Sequence, residues 1–213
     1  MKPKRIYLIR HGESESNVNK GLTKTFPNWK IDLTEKGKKQ AKEAAQKIYD
    51  EVCGKYGEDK IKIYCSPWYR CRQTAEPIRK LFKNAEYRED PRIREQEWGN
   101  FDKDNLVKKI DEERDNYGTF FYRMPSGESG ADVYDRVSIF LESLHRDFEK
   151  KDYPKSIVIV SHGLTSRLFL MRWFHWSVEE YEKLANPKNC EIIKMELNEK
   201  TNKYNLTTPL RKK

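Results

Sequence analysis

Apolar positions along the 213 residues follow two rhythms. Three short runs, Ile6–Ile9, Ile61–Cys65 and Ile157–Val160, each give way to a sharp polar turn: Arg10-His11-Gly12, Ser66-Pro67 and Ser161-His162-Gly163. Runs this short, rich in β-branched residues and closed by turn formers, predict strands buried on both faces. Between them the period changes to that of a helix. Thr34 is placed to cap a helix reaching about Val52, with Ala41, Ala44, Ala45, Ile48 and Val52 as its apolar stripe. Ser66 as cap, with Pro67 in the first helical position, predicts a second helix ending near Phe82. A third is predicted from about Ser129 to Phe148, where Val133, Val137, Phe140, Leu141 and Leu144 share a face and Ser129 pairs with Asp132 as a cap. Residues 102–117 read as an acidic surface helix and residues 20–32 as a structured loop. Cys190–Leu197 and Lys203–Thr207 read as a hairpin at a sheet edge. Strands alternating with helices imply an α/β fold, a three-layer α/β/α sandwich whose mostly parallel sheet carries helices on both faces. Without a repeat or a long linker, residues 1–213 are expected to form a single domain.

Composition narrows the function classes. Charged and hydrophobic residues each make up 36%, yet 12% aromatics and the compact Val/Ile runs fit a packed globule. No apolar stretch approaches the roughly 20 residues a membrane crossing needs, and the first residues lack the apolar core of a secretory signal. Cys53, Cys65, Cys71 and Cys190 show neither a C-x-x-C pair nor zinc spacing, so reduced thiols, a cytoplasmic location and no bound metal or cofactor are expected. The net charge of +9 admits nucleic acid, an anionic membrane or a phosphorylated substrate. The excess is concentrated in residues 1–42 and 151–213, the segments that hold the two His-Gly turns, and no long basic block marks a nucleic-acid arm or a membrane anchor. Lys20, Lys24 and Lys30 are placed to steer anions toward the first turn.

The chemistry gathers where the strands end. In an open parallel sheet, ligands sit outside the carboxyl ends of the strands, which brings Arg10, His11, Arg70 and His162 to one rim. Arginine forks match phosphate oxygens, and glycine after each histidine lets backbone come close to an anion. Alone, R-H-G is a weak signal, a histidine ending a strand is more often structural, and an arginine in a basic helix more often solvated. Two X-His-Gly turns together with S-P-x-x-R-x-x-Q-T are a specific combination. A phosphomonoester site also needs a proton donor, and by residue type alone Glu89, Glu95, Glu97 and Glu128 stand level for that task.

RHGESESN, SPWYRCRQT and SHG resemble the histidine phosphatase superfamily, the phosphoglycerate-mutase-like proteins. PRIREQEWGNF, FFYRMPSGESGADVYDRV and SHGLTSRLFLMRWF are most similar to its broad-range acid phosphatase branch, and the likeness runs from about Ile6 to Leu197. The resemblance implies His11 as a nucleophile that becomes phosphohistidine, with Arg10, Arg70 and His162 completing the phosphate pocket. It implies Glu95, in its R-E-x-x-W-G setting, as general acid, and Ser14, Asn17 and Gly163 as substrate-binding positions. The expected activity is metal-independent hydrolysis of small phosphomonoesters. Mutases of the family carry a longer, basic insertion between the acid and the second His-Gly; here only 66 residues intervene, with an acidic excess among them. A phosphoglycerate mutase or sugar-bisphosphatase is the alternative reading, and a polyanion-binding protein on the same scaffold is the alternative of another class. No nucleic-acid or membrane partner is expected, and the sequence is neutral between monomer and homodimer.

Overall fold

The computed structural model describes residues 2–99 and 104–213. In chain order the elements are β1 (Arg5–Arg10), α1 (Glu15–Val18), α2 (Glu35–Tyr49), β2 (Ile61–Cys65), α3 (Tyr69–Leu81), β3 (Glu86–Glu89) and α4 (Asp104–Tyr117). There follow α5 (Gly130–Phe148), β4 (Ser156–Ser161), α6 (Gly163–Phe174), α7 (Val178–Glu182), β5 (Ile192–Asn198) and β6 (Lys203–Leu206). The strands form one sheet in the order β3-β2-β4-β1-β5-β6. The first four are mutually parallel, while β5 runs antiparallel to β1 and is joined antiparallel to β6.

Alternation along the strands divides the apolar side chains between two cores. Ile6, Leu8, Ile157 and Ile159 face α5 and α6, packing with Val137, Phe140, Leu168 and Phe169. Tyr7, Ile9, Val158 and Val160 face α2 and α3, packing with Ala45, Ile48, Ala75 and Ile78. The fold is thus the expected α/β/α sandwich. Because β1, β2 and β4 adjoin, the turns after Arg10, Cys65 and Ser161 meet at one rim.

Several local expectations need correction. The second helix begins at Tyr69 with Trp68 as its cap position, and the Ser66 hydroxyl is engaged elsewhere. The α2 segment leaves α geometry after Tyr49 and runs on as a π-type turn over Asp50–Lys55, which still buries Val52. Strand β3 was not anticipated: Glu86 and Arg88 are exposed and only Tyr87 and Glu89 are half-buried, the polar pattern of an edge strand. The loop 20–32 holds two 3-10 turns, Lys20–Lys24 and Asn28–Lys30, although the Lys20 and Lys24 side chains lie outside what the structure describes. The acidic helix is present from Asp104, and residues 102 and 103 of that prediction lie outside the described residues.

Candidate active site

His11, 4% exposed, follows β1 directly. Its Nδ1 lies 2.7 Å from the Gly12 carbonyl oxygen, and its Nε2 lies 3.2 Å from Arg70 Nε. A carbonyl can only accept and a guanidinium N–H can only donate, so together they select one tautomer: the proton on Nδ1, the lone pair on Nε2. Burial, reinforced by the Arg70 and Arg10 cations, holds His11 well below its ordinary pKa. The imidazole is therefore a neutral base whose lone pair faces a guanidinium.

Arg70 reaches it because α3 presents three motif residues toward this turn. At helical spacing from Arg70, Gln73 accepts the Leu33 N–H at 2.7 Å and donates to Asp32 at 2.8 Å. Thr74 accepts the Gly12 N–H at 3.0 Å. The R-x-x-Q-T pattern thus ties α3 to the site, to the loop before α2 and to the histidine turn. The Arg70 guanidinium also donates to the Asn28 carbonyl at 2.8 Å and lies 4.4 Å from the Trp68 ring centroid. The absent Cβ of Gly12 is used by the protein itself: a Cβ there would stand 2.6 Å from the Gly37 carbonyl oxygen. At Gly163 the corresponding space belongs to Asn186, with Cγ at 2.9 Å. Both glycines are thus required by close packing within the chain.

His162, fully buried after β4, lies edge-on to His11 with ring centroids 5.2 Å apart. Its Nε2 is 2.7 Å from Ser66 Oγ, and Trp68 packs against the other side at 5.0 Å. Burial and then Arg70 depress its pKa as well. Cys71 Sγ lies 3.4 Å from His162 Nε2, but burial pushes this thiol up, so it is a packing group rather than a thiolate.

Arg10 donates to the Pro187 carbonyl at 2.7 Å while its buried Nε is without a partner among the described residues. Glu95 belongs to the loop after the 3-10 turn Pro91–Ile93, facing the N-terminus of α6. Its carboxylate accepts from the Thr165 hydroxyl at 2.9 Å and the Thr165 N–H at 3.2 Å. The Arg10 and Arg70 charges both interact with it, which places Glu95 in the same electrostatic neighbourhood. Of the other acids, Glu89 pairs with Arg72, and Glu97, although its charge also reaches Arg70, is exposed. Glu128 is bound by Arg94 and Arg136.

Arg136 fixes the main chain that carries Glu95. It donates to the carbonyls of Arg92 at 2.7 Å, Arg94 at 2.8 Å and Glu95 at 3.0 Å while pairing with Glu128. Of the remaining predicted positions, Ser14 is fully buried and its hydroxyl contacts Ser16 Oγ at 3.1 Å. Asn17 is exposed; its Oδ1 accepts from the Ser14 N–H and from Asn189, which also donates to the His11 carbonyl. Gly163 opens α6, where a first-turn N–H has no intrahelical acceptor. None of these roles of Asn28, Ser66, Thr165, Arg136 or Asn189 is assigned from the sequence, although Ser66, Arg136 and Thr165 lie within segments that carry the family resemblance. Among the described residues no group of three or more His, Cys, Asp or Glu side chains is arranged to hold a metal ion.

Two buried histidines with depressed pKa, two arginines with unspent donors and one carboxylate thus share one electrostatic neighbourhood at the rim of the sheet. Residues 6–208 match the family profile of the histidine phosphatase superfamily, branch 1. The chain is 48% identical over 211 residues to the phosphoglycerate mutase-like protein AT74H of Arabidopsis thaliana, covering 92% of this chain and 75% of that one. It is 32% identical to the broad-range acid phosphatase DET1 of Saccharomyces cerevisiae, covering 99% of this chain and 90% of the relative. Among solved structures, a protein described as mycobacterial hydrolase 1 superposes with a TM-score of 0.73 at 19% identity over 99% of both chains. A mycobacterial glucosyl-3-phosphoglycerate phosphatase solved with VO3 gives 0.69 at 20% identity, covering 98% of this chain and 99% of that one. With the profile spanning nearly the whole sequence, the chain belongs to the histidine phosphatase superfamily, branch 1.

Proposed function

We propose that this protein hydrolyses small phosphomonoesters through a phosphohistidine formed on His11. The observation that carries the reading is the tautomer lock: the Gly12 carbonyl accepts from Nδ1–H and Arg70 faces Nε2, so the lone pair sits beside a buried guanidinium. On binding, a phosphoryl oxygen replaces the His11 ring as acceptor for Arg70, with Arg10 and His162 sharing the phosphoryl charge. The Nε2 lone pair then forms a bond to phosphorus as the bond to the ester oxygen breaks. Glu95, in its acid form, delivers its proton to the departing oxygen, which leaves as an alcohol. In the second half a water attacks phosphorus, Glu95 takes the water's proton, and the electrons of the N–P bond return to Nε2. Inorganic phosphate departs and the enzyme is restored.

The DET1 relative is described as a broad-range acid phosphatase, and a base kept neutral under acidic conditions suits that activity. The test is leaving-group dependence. Glu95→Gln should lower kcat/KM at least about a hundredfold for an alkyl phosphate but less than about tenfold for 4-nitrophenyl phosphate, whose leaving group needs little protonation. Equal losses on both would move the acid role to another residue.

A further inference from the structure

Between α7 and β5 the chain runs from Lys183 to Glu191 without a helix or strand, and this loop grips the first histidine turn. The Pro187 carbonyl accepts from the Arg10 guanidinium at 2.7 Å. The Cys190 N–H donates to the Arg10 carbonyl at 3.0 Å and the His11 carbonyl at 3.3 Å, and the Asn189 side-chain amide donates to the His11 carbonyl at 3.1 Å. Because the buried Nε of Arg10 is without a partner among the described residues, the Pro187 carbonyl sets the direction of its fork.

The loop is in turn held by a second segment. The Ala185 N–H donates to the Arg211 carbonyl at 2.9 Å, the Lys213 N–H donates to the Lys183 carbonyl at 3.0 Å, and Leu184 forms an antiparallel bridge with Lys212. The Arg211 guanidinium donates to the Asn186 carbonyl at 3.0 Å, one residue before Pro187. Leu210 packs against the core that faces α5 and α6. The space between loop and segment, a void of about 10 Å³ lined by Leu184, Pro187 and Leu210 among others, holds no more than one water. Arg211-Lys212-Lys213, exposed and basic, is therefore a strap laid along the loop rather than loose solvated charge. The Arg211 charge also reaches Arg10 across the loop, which adds to the attraction of that corner for an anion.

We infer that Arg211 is a positioning residue of the phosphate pocket, fixing the loop 183–191 whose Pro187 carbonyl aims Arg10. The ligand in this inference rests on the proposed function; the mechanical link from Arg211 to the histidine turn does not. The main-chain pairing at Ala185 anchors the loop whatever side chain stands at 211. The guanidinium adds the hold on the Asn186 carbonyl, next to the peptide that meets Arg10. Without it the Asn186-Pro187 segment is free to shift, and the Arg10 fork shifts with its carbonyl partner.

The test reads the link and the ligand separately. Hydrogen exchange followed by NMR at the Cys190 amide reads the link, with the Ile159 amide in the middle of β4 as reference. In Arg211→Met the Cys190 amide should exchange about tenfold faster while Ile159 stays within about twofold, because the opening is local. Calorimetric titration with orthovanadate reads the ligand. Arg211→Met should raise its Kd about tenfold, the scale of one hydrogen bond to a charged group, and Arg211→Lys, which keeps the charge and a donor, should recover part of that loss. In an Arg10→Lys background, where the fork is already gone, Arg211→Met should change Kd by less than about threefold, the share left to charge alone. A role confined to general stability would weaken both backgrounds alike. An unchanged Cys190 amide, or equal losses of vanadate affinity in the two backgrounds, would overturn the inference. Accelerated Cys190 exchange in a protein that binds no vanadate would overturn the pocket of the proposed function and leave the link from Arg211 to the histidine turn standing.

Discussion

Arg136 offers the sharpest check on how the site is held together. Replacing it with Met keeps most of the aliphatic stem but removes the donors to the Arg92, Arg94 and Glu95 carbonyls and to both oxygens of Glu128. Breaking a buried, hydrogen-bonded charge pair costs about 3–5 kcal/mol. Glu128 keeps Arg94 at 2.7 Å and the Glu97 N–H at 2.9 Å, so its charge is not stranded. A loss of about 2–3 kcal/mol follows, and at about 2–4 °C per kcal/mol for a chain of this size Tm should fall by about 4–12 °C. The catalytic consequence is more specific, because Arg136 touches no reacting atom and acts through the main chain that carries Glu95. Loosening that segment should cost about a hundredfold in kcat for an alkyl phosphate, the scale of an ångström's misplacement, and less than about tenfold for 4-nitrophenyl phosphate. Arg136→Lys should recover part of the stability and little of the positioning, since one ammonium cannot span three carbonyls. Steady-state kinetics on both substrates, well below Tm, decides the matter. Equal losses on both would refute a role through Glu95, and an unchanged Tm would refute the hydrogen-bond account.

Two further outcomes follow from burial and close packing. His11 and His162 are both held well below their ordinary pKa by burial and the neighbouring arginines, so kcat/KM for 4-nitrophenyl phosphate should not fall as pH drops through about 6.5. The sign for stability is opposite: the unfolded chain takes up protons on these histidines below about pH 6.5 that the folded chain refuses, so urea midpoints should decline from pH 7.5 to 5.5, and a rise would contradict the assignment. Gly37→Ala, which in an ordinary helix stabilises by up to about 1 kcal/mol, should here destabilise by about 1–3 kcal/mol, because its Cβ would stand 2.0 Å from the Glu13 carbonyl oxygen. Thermal denaturation reads that sign directly.

How much of this was legible in the sequence depended on range. Strands β1, β2 and β4 announced themselves because burial on both faces demands nearly unbroken apolar runs. Strand β3 did not, because an edge strand can satisfy itself with Glu86-Tyr87-Arg88-Glu89, a string no apolar period marks. His11, Arg70 and His162 were readable since strand ends and the first turn of a helix locate them by topology alone. Asn28, Thr165 and Arg136 were not, because each acts on a residue some 42, 70 or 41 positions away and leaves no local pattern. The cap at Ser66 failed for a related reason: a serine before Pro67 fits a helix start, but the hydroxyl has a stronger claim on it from His162. The glycines after both histidines were recognised as necessary, though their neighbours, Gly37 and Asn186, are distant in sequence.

The central claim is that Nε2 of His11 takes the phosphoryl group. Mixing the protein with 32P-labelled substrate and quenching within one turnover should leave label that is labile to acid and stable to base. Peptide mapping should place that label on His11, and His11→Ala should abolish it. Hydrolysis proceeding at full rate with no label on the chain, or label on any other residue, would contradict the account.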